Sequence, residues 1–286
     1  GDYVNYQSSW TAYTGGLIGK NSQSKVDLSQ AQGDVSSVFK TKHQNGSMGA
    51  NLYTGGLIGQ NQNGQINQVE AVGGVDATIT ITTNNASGSP NVYTGGLIGE
   101  NNAAQISNAI AKGDVSLNSM LTTRDSSYAI GLATGGLIGK NHANSTLKDV
   151  QALGQVDVVA EINSYRANSQ LSVAAGGLIG DNQNSFISNG SSSGAVRAHV
   201  KTGFGVLPVD ITVNTDVGGL VGKNTGSNIK QSHATGHVLA NVVSTSDFIQ
   251  ANVGGLVGSQ QSNSISHSHA TGAVELNTTL NTLGAN

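Results

Sequence analysis

Two histidines repeat in register near the end of the chain, within SHATGHV (232–238) and SHATGAV (268–274). His233 and His269, with His237 and His267 close by, are the candidate metal ligands, because neutral imidazole is a common metal donor. A metal-binding histidine also needs a partner that fixes its tautomer, and no carboxylate recurs beside this pair. Duplication of an exposed strand residue accounts for the two positions, and no cofactor is expected. Cysteine is absent, so thiolate chemistry and disulfides are excluded, and zinc would have to be held by His and carboxylates alone.

Carboxylates are the next candidates. Asp34 and Asp114 share a repeat position that Gly74, Gln155, Ala195, His237 and Ala273 fill elsewhere, which is the behaviour of a solvated site. Two carboxylates meeting across a groove would suit glycosidase or polysaccharide-lyase chemistry on a β-helix, and a polysaccharide-processing enzyme stays as an alternative to a non-enzymatic chain. TGGLIGKN (14–21) has the glycines of a phosphate loop but Asn where Ser or Thr is needed. The calcium-binding pattern G-G-x-G-x-D is missing as well. Thr14, Thr54, Thr94 and Thr134 could stack into a flat row, which makes an ice-binding face a second alternative, although the row fails after four members. Among the aromatics, Tyr128, Tyr165 and Phe204 are the candidate ligand-binding residues, since aromatic faces stack on sugars. Tyr6 and Trp10 also lie outside the recurring phrases, and Trp10 could shield an open end. Tyr13, Tyr53 and Tyr93 recur before Thr-Gly-Gly and read as structural.

The elements that would position these groups follow from a repeat. Gly-Gly-Leu occurs as Gly15-Gly16-Leu17, Gly55-Gly56-Leu57, Gly95-Gly96-Leu97, Gly135-Gly136-Leu137, Gly176-Gly177-Leu178, Gly218-Gly219-Leu220 and Gly254-Gly255-Leu256, at steps of 40, 40, 40, 41, 42 and 36 residues. A period of this size marks a solenoid, propeller or array. After Leu comes Ile18, Ile58, Ile98, Ile138, Ile179, Val221 and Val257. Successive strand residues point to opposite faces, so two apolar neighbours demand either two covered faces or a bend that turns both inward. Asn21, Asn61, Asn101, Asn141, Asn182 and Asn224, with Gln260 in the seventh copy, follow two residues after the closing Gly and suit a corner with amides laddered from coil to coil. The residue between, Lys20, Gln60, Glu100, Lys140, Asp181, Lys223 or Ser259, is expected to face water.

An apolar position (Ile66, Ile106, Leu147, Ile187, Ile229, Ile265) and an A-x-G-x-V phrase complete each unit, and VDATITITTNN (75–85) and LPVDITVNTDV (207–217) carry strand patterns. The chain is therefore expected to be all-β: a single right-handed-type β-solenoid domain over 1–286, with seven repeats of ~40 residues and possibly two coils of roughly 20 in each. A propeller fits the repeat count, but 4% aromatic residues and a single Trp argue against its usual blade markers.

Bulk properties narrow the partners. Charged residues make up 10% and the net charge is -3, so no nucleic acid is expected as partner. No apolar run approaches a membrane span, so no membrane insertion is expected, and residues 1–12 lack the pattern of a signal peptide. The chain reads as part of a longer protein that continues into further domains.

GGLIGKN followed by Ile and by A-x-G-x-V resembles the GLUG motif, named for its Gly-Leu-apolar-Gly core, across all seven repeats. That motif recurs in large bacterial surface and secreted proteins, including haemagglutinin-like adhesins and repeat regions of some immunoglobulin A protease-like proteins. Ala175, Val217 and Val253 depart from the Thr that precedes Gly-Gly in the first four copies. The resemblance implies a secreted or cell-surface bacterial protein, a stiff adhesin segment, and supplies no catalytic residues. Variable loops at 36–53, 116–133, 157–174 and 197–216 would then meet a host-cell receptor or carbohydrate, or matrix, or mediate self-association.

Overall fold

The computed structural model describes residues 7–124, 127–165, 169–204, 211–245 and 248–281. Each repeat lays down strands at four positions, and the third, sixth and seventh repeats split one of the four into two short strands. In the first they are β1 (Gln7–Gly15), β2 (Ile18–Ser22), β3 (Lys25–Ala31) and β4 (Val35–His43); in the second, β5 (Gly46–Gly55), β6 (Ile58–Gln62), β7 (Gln65–Ala71) and β8 (Val75–Asn84). Every strand pairs in parallel with its counterpart one repeat later, as in Gly15 with Gly55, Ile18 with Ile58, Ala31 with Ala71 and Val35 with Val75. Four continuous parallel sheets result, begun by β1, β2, β3 and β4 and called sheets 1 to 4 here. The protein is a β-solenoid without helix among the described residues, and sheets that run the length of the stack exclude separate propeller blades. Seven layers at the usual strand spacing extend ~34 Å.

One repeat is one broad coil, so the division into two coils of twenty residues does not hold. TGGLI and A-x-G-x-V look alike because both are corners. The first bends at Gly16-Leu17 from sheet 1 into sheet 2, and the second bends at 32–34 from sheet 3 into sheet 4.

The Gly-Leu bend turns both apolar neighbours inward. The backbone N–H groups of Leu17 and Ile18 both donate to the Leu57 carbonyl at 3.0 Å, and this fork recurs from Leu57 and Ile58 to Leu97. Leu57 and Ile58 are consequently both fully buried. In sheet 3 a bulge does similar work. Gln68 and Asn108 have φ of 52° and 51° and are skipped by the pairing of their strands. The left-handed residue flips the alternation, so Ile66 and Val69, three apart, both reach the interior.

Two apolar cores fill each coil. One lies between sheets 1 and 4 and includes Leu52, Val75, Ile79 and Ile81; the other lies within sheets 2 and 3 and includes Leu57, Ile58, Ile66 and Val69. They meet at a waist of small residues. A Cβ placed on Gly56 would sit 3.2 Å from the Ala71 methyl and 2.1 Å from the Gly96 carbonyl oxygen, so the second motif glycine and the Ala of A-x-G-x-V specify each other. In the fifth coil Ser192 replaces that Ala, and its hydroxyl donates to the Gly219 carbonyl at 2.6 Å.

Burial is supplied by neighbouring coils. Leu17 is 50% exposed in the first coil whereas Leu57 and Leu97 are 0% exposed, as expected where stability is the sum of layer contacts. The expected recognition loops at 36–53 and 116–133 are mostly strand: β4 and β5 cover the first, and Val115–Arg124 and Ala129–Gly135 cover the second. The same holds for 157–174, within Val156–Ser164 and Ser169–Gly176, and 197–216 is strand on both sides of 205–210, which lie outside the described residues. Length variation falls mainly at the corner from sheet 4 into sheet 1; the fourth coil also carries one extra residue at the corner from sheet 2 into sheet 3, between His142, paired with Asn102, and Thr146, paired with Gln105.

Candidate functional site

Sheets 1 and 2 fold against each other closely enough that only glycine fits their junction. A Cβ on Gly99, the third motif glycine, would lie 2.6 Å from the Thr54 backbone nitrogen and 2.6 Å from the Gly59 carbonyl oxygen. The two sheets therefore approach closely at this junction, and a groove lined by residues of both runs along the solenoid axis. Two files of side chains line it. Sheet 1 contributes, in pairing register, Tyr13, Tyr53, Tyr93, Ala133, Ala174, Asp216 and Asn252. Sheet 2 contributes Lys20, Gln60, Glu100, Lys140, Asp181, Lys223 and Ser259.

The sheet 2 file was expected to face open water. It faces sheet 1 instead, and Gln60 and Glu100 are only 8% and 7% exposed. Its variability reflects a changing lining.

The first three coils make an aromatic shelf. Tyr13 and Tyr53 stack with centroids 5.2 Å apart and planes 12° from parallel, and Tyr93 follows at 5.7 Å with its plane tilted by 51°. Lys20 Nζ lies 5.1 Å from the Tyr13 ring centroid, and Lys140 Nζ lies 5.0 Å from that of Tyr93 while donating to the Tyr93 hydroxyl at 3.3 Å. Burial, reinforced by the Glu100 charge, pushes the Tyr53 and Tyr93 hydroxyls well above the ordinary phenol range. Desolvation also acts to raise Glu100, but Gln60 Nε2, donating at 2.6 Å, and His142 Nε2, 3.2 Å away, outweigh it and hold the carboxyl below its ordinary value.

Beyond Tyr93 the shelf stops. Ala133 and Ala174 replace tyrosine for two coils, leaving a hollow in a cavity of about 450 Å³ whose lining includes Tyr93, Lys140, Asp181, Asn214, Asp216 and Lys223. Asp181 Oδ2 accepts from Gln183 Nε2 at 2.8 Å, while its Oδ1 is shielded from solvent and has no hydrogen-bond partner. Burial raises the Asp181 carboxyl, Lys140 and Lys223 oppose the rise, and Asp216 adds to it. Asp216 Oδ1 accepts from Asn252 Nδ2 at 2.7 Å, and burial likewise raises its carboxyl. The arrangement offers alternating ammonium and carboxylate groups above a small apolar floor. A larger cavity, of about 880 Å³, opens where sheet 1 begins, and among the described residues no charged side chain lines it.

The other sequence candidates are placed elsewhere. His233 and His269 stack ring on ring, 5.4 Å apart and 8° from parallel, on neighbouring coils. Among the described residues no cluster of three or more His, Cys, Asp or Glu is placed to hold a metal ion. Tyr128 is a core residue, 2% exposed, rather than a surface aromatic; a Cβ on Gly88 would lie 2.6 Å from its ring. Tyr165 is partly exposed at the corner from sheet 4 into sheet 1, with the Arg124 guanidinium 5.5 Å from its ring centroid. Phe204 ends a strand paired to Ser164, its side chain and the whole of Tyr6 lying outside the described residues. Trp10, in register with buried Ala50, is 57% exposed over the first coil. Thr54, Thr94 and Thr134 point into the core and are at most 1% exposed, so this row presents no face to ice.

The groove residues escape sequence reasoning because each stands beside a recurring phrase and reads only with its own repeat. The signal is present in the column before Thr-Gly-Gly, which changes from Tyr to Ala to Asp while the glycines stay fixed.

The family model of the GLUG motif matches residues 213–239 and 250–275, within the sixth and seventh coils. No curated protein and no solved structure matches the chain. The five preceding coils repeat the same glycines, Leu and Asn in the same pairing register, so the chain is a β-solenoid whose sixth and seventh coils match the GLUG motif and whose earlier coils are similar to them.

Proposed function

We propose that this chain is a non-enzymatic attachment segment of a bacterial secreted or cell-surface adhesin. It is a stiff rod whose axial groove engages carbohydrate on host cells or in a biofilm matrix. The observation that carries this reading is the groove itself, with its aromatic shelf leading into a polar hollow. Aromatic faces and mixed donors and acceptors are what polyhydroxylated ligands require. Stacked backbone ladders and Leu/Ile columns give such a rod its stiffness.

The experiment is binding of the labelled chain to a panel of host cells and immobilised glycans, with an unrelated β-solenoid as control. Saturable binding above control is expected, and its absence across the panel overturns the reading. One observation favours polysaccharide processing as a second reading: two buried carboxylates with raised pKa share the groove, and a glycosidase acid needs such a shift. Release of reducing ends from a bound polysaccharide, lost in Asp216→Asn, would decide for that alternative.

A further inference from the structure

We propose that the hollow over Ala133 and Ala174 is a subsite for uncharged hexose units, with Asp181 Oδ1 as the hydrogen-bond acceptor that orients them. This deepens the attachment reading and rests on it.

The first observation is a gap in a file. Tyr13, Tyr53 and Tyr93 fill the space above sheet 1 in three successive coils, and at the same register Ala133 and Ala174 place only a methyl group, beside a cavity of about 450 Å³. Asp216 closes the far side. Three strand spacings separate the levels of Tyr93 and Asp216, roughly 14 Å along the axis, which accommodates a short stretch of sugar chain. The Tyr93 ring, with Lys140 Nζ 5.0 Å from its centroid, forms one wall, and the methyl groups of Ala133 and Ala174, 4% and 7% exposed, form a narrow apolar floor.

The second observation is independent of the gap. Asp181 Oδ1 is buried in the lining without a partner, although the other oxygen of the same carboxylate is hydrogen-bonded. An orphaned buried acceptor costs free energy unless something fills it. A ligand hydroxyl donating to Oδ1 would do so.

Charge selects among ligand classes. Along sheet 2 the hollow meets Lys140, Asp181 and Lys223 in succession, and Asp216 faces them from sheet 1. Two ammonium groups and two carboxylates give no net attraction for a polyanion or a polycation. A sugar hydroxyl both donates and accepts, so vicinal hydroxyls can take a hydrogen bond from Lys140 or Lys223 while giving one to Asp181.

The test is calorimetric titration of the full chain with gluco-, manno- and galacto-oligosaccharides, alongside oligogalacturonate and chitosan oligosaccharides. Two variants are titrated in parallel. Ala174→Tyr refills the hollow with the side chain that the first three coils carry at this register, so the fold tolerates it; circular dichroism and a melting curve verify this. Asp181→Asn replaces one acceptor oxygen and keeps the shape. The expected result is binding of at least one neutral series, weakened about tenfold or more by each variant, with the charged oligosaccharides weaker. The inference is overturned if no neutral series binds the native chain, if a charged series binds as well or better, or if Ala174→Tyr keeps full affinity. Should Ala174→Tyr retain binding to cells and immobilised glycans, the subsite falls and the attachment reading stands. Should the native chain bind neither surfaces nor oligosaccharides, both fall.

Discussion

The Cα of Gly96 faces the methyl group of Ala111 so closely that a Cβ on the glycine would lie 3.1 Å from it, and 2.1 Å from the carbonyl oxygen of Gly136 in the next coil. This contact forms the waist between the two apolar cores, and it ties the two recurring phrases of a repeat into one geometric unit. The backbone oxygen cannot retreat, because it belongs to the stacked corner. Shape at this point is dictated by the coil above as much as by the coil itself.

Gly96→Ala is therefore expected to destabilise the chain by more than about 3 kcal/mol in urea unfolding, the size of a severe core overpacking. Gly33 provides the contrast. It opens the corner of the first coil, where an added Cβ would meet nothing within 4 Å, whereas a Cβ on the equivalent Gly113 would meet the Gly73 carbonyl oxygen at 2.0 Å. Gly33→Ala should lie within about 1 kcal/mol of the native chain, and Gly113→Ala should behave like Gly96→Ala. Equal effects at Gly33 and Gly113 would show that backbone conformation, and not stacking, sets the requirement.

The amide ladder gives a second measurable gradient. Asn101 Nδ2 donates to Asn141 Oδ1 at 2.8 Å, and Asn141 Nδ2 donates to Asn182 Oδ1 at 2.8 Å, all without solvent exposure. Asn141→Leu strands a donor on one side and an acceptor on the other, a cost of about 2–5 kcal/mol. Asn21 starts the ladder, with Asn61 Oδ1 and the carbonyl of exposed Ser24 as its acceptors, so Asn21→Leu strands one fully buried group instead of two and should cost less. Chemical denaturation of the two variants checks the order.

The repeat and the Asn ladder were legible because each is a column of one residue type, and a column is what a stacked fold imposes on sequence; the Leu and Ile columns left two covered faces or an inward bend, and the forked bonds to Leu57 show the bend. Coil number per repeat was not legible. TGGLI and AQGDV share a small residue, a Gly and an apolar close, and only the pairing of Gly15 with Gly55 shows that the two phrases are different corners of one coil. The groove was hidden for the opposite reason. Lys20, Gln60 and Glu100 vary like surface residues, yet they meet sheet 1 because Gly59 and Gly99 let the two sheets close on each other. A sequence column records variability but not what stands across from it. Tyr128 shows the same limit: an aromatic outside every recurring phrase is core here because Gly88 makes room for its ring.

Leu28 supplies a stabilising prediction. It occupies the bulge of sheet 3 with φ of 49° and is 76% exposed, so it bears the left-handed penalty with little burial in return. The equivalent positions include Asn108 and Asn189, at φ of 51° and 55°, and Asn tolerates this region better than Leu. Leu28→Asn is expected to raise stability by about 0.5–1 kcal/mol, read as a higher urea midpoint at unchanged slope. A lower midpoint would mean that the exposed Leu28 side chain packs usefully at the open end of the stack.

The groove carboxylates predict opposite pH signatures in one molecule. Burial raises Asp181 and Asp216 above the ordinary aspartate value of 3.8. Their native forms hold the proton more tightly than the unfolded chain does, so the stability they supply is complete below that value and is lost as pH rises through the folded value. Glu100 is held below the ordinary 4.5 by His142 and Gln60 against the pull of desolvation. Its contribution is present above the unfolded value and is lost as pH falls through the folded one. Asp181→Asn should therefore melt higher than the native chain at pH 7, with the gap closing as the pH approaches 4. Glu100→Gln should melt lower at pH 7, with its gap closing only at more acidic pH. Melting curves of the three proteins across this range test both signs. If Asp181→Asn melts lower than the native chain at neutral pH, Lys140 and Lys223 outweigh burial, and the hollow holds a satisfied ion network instead of an acceptor awaiting a ligand.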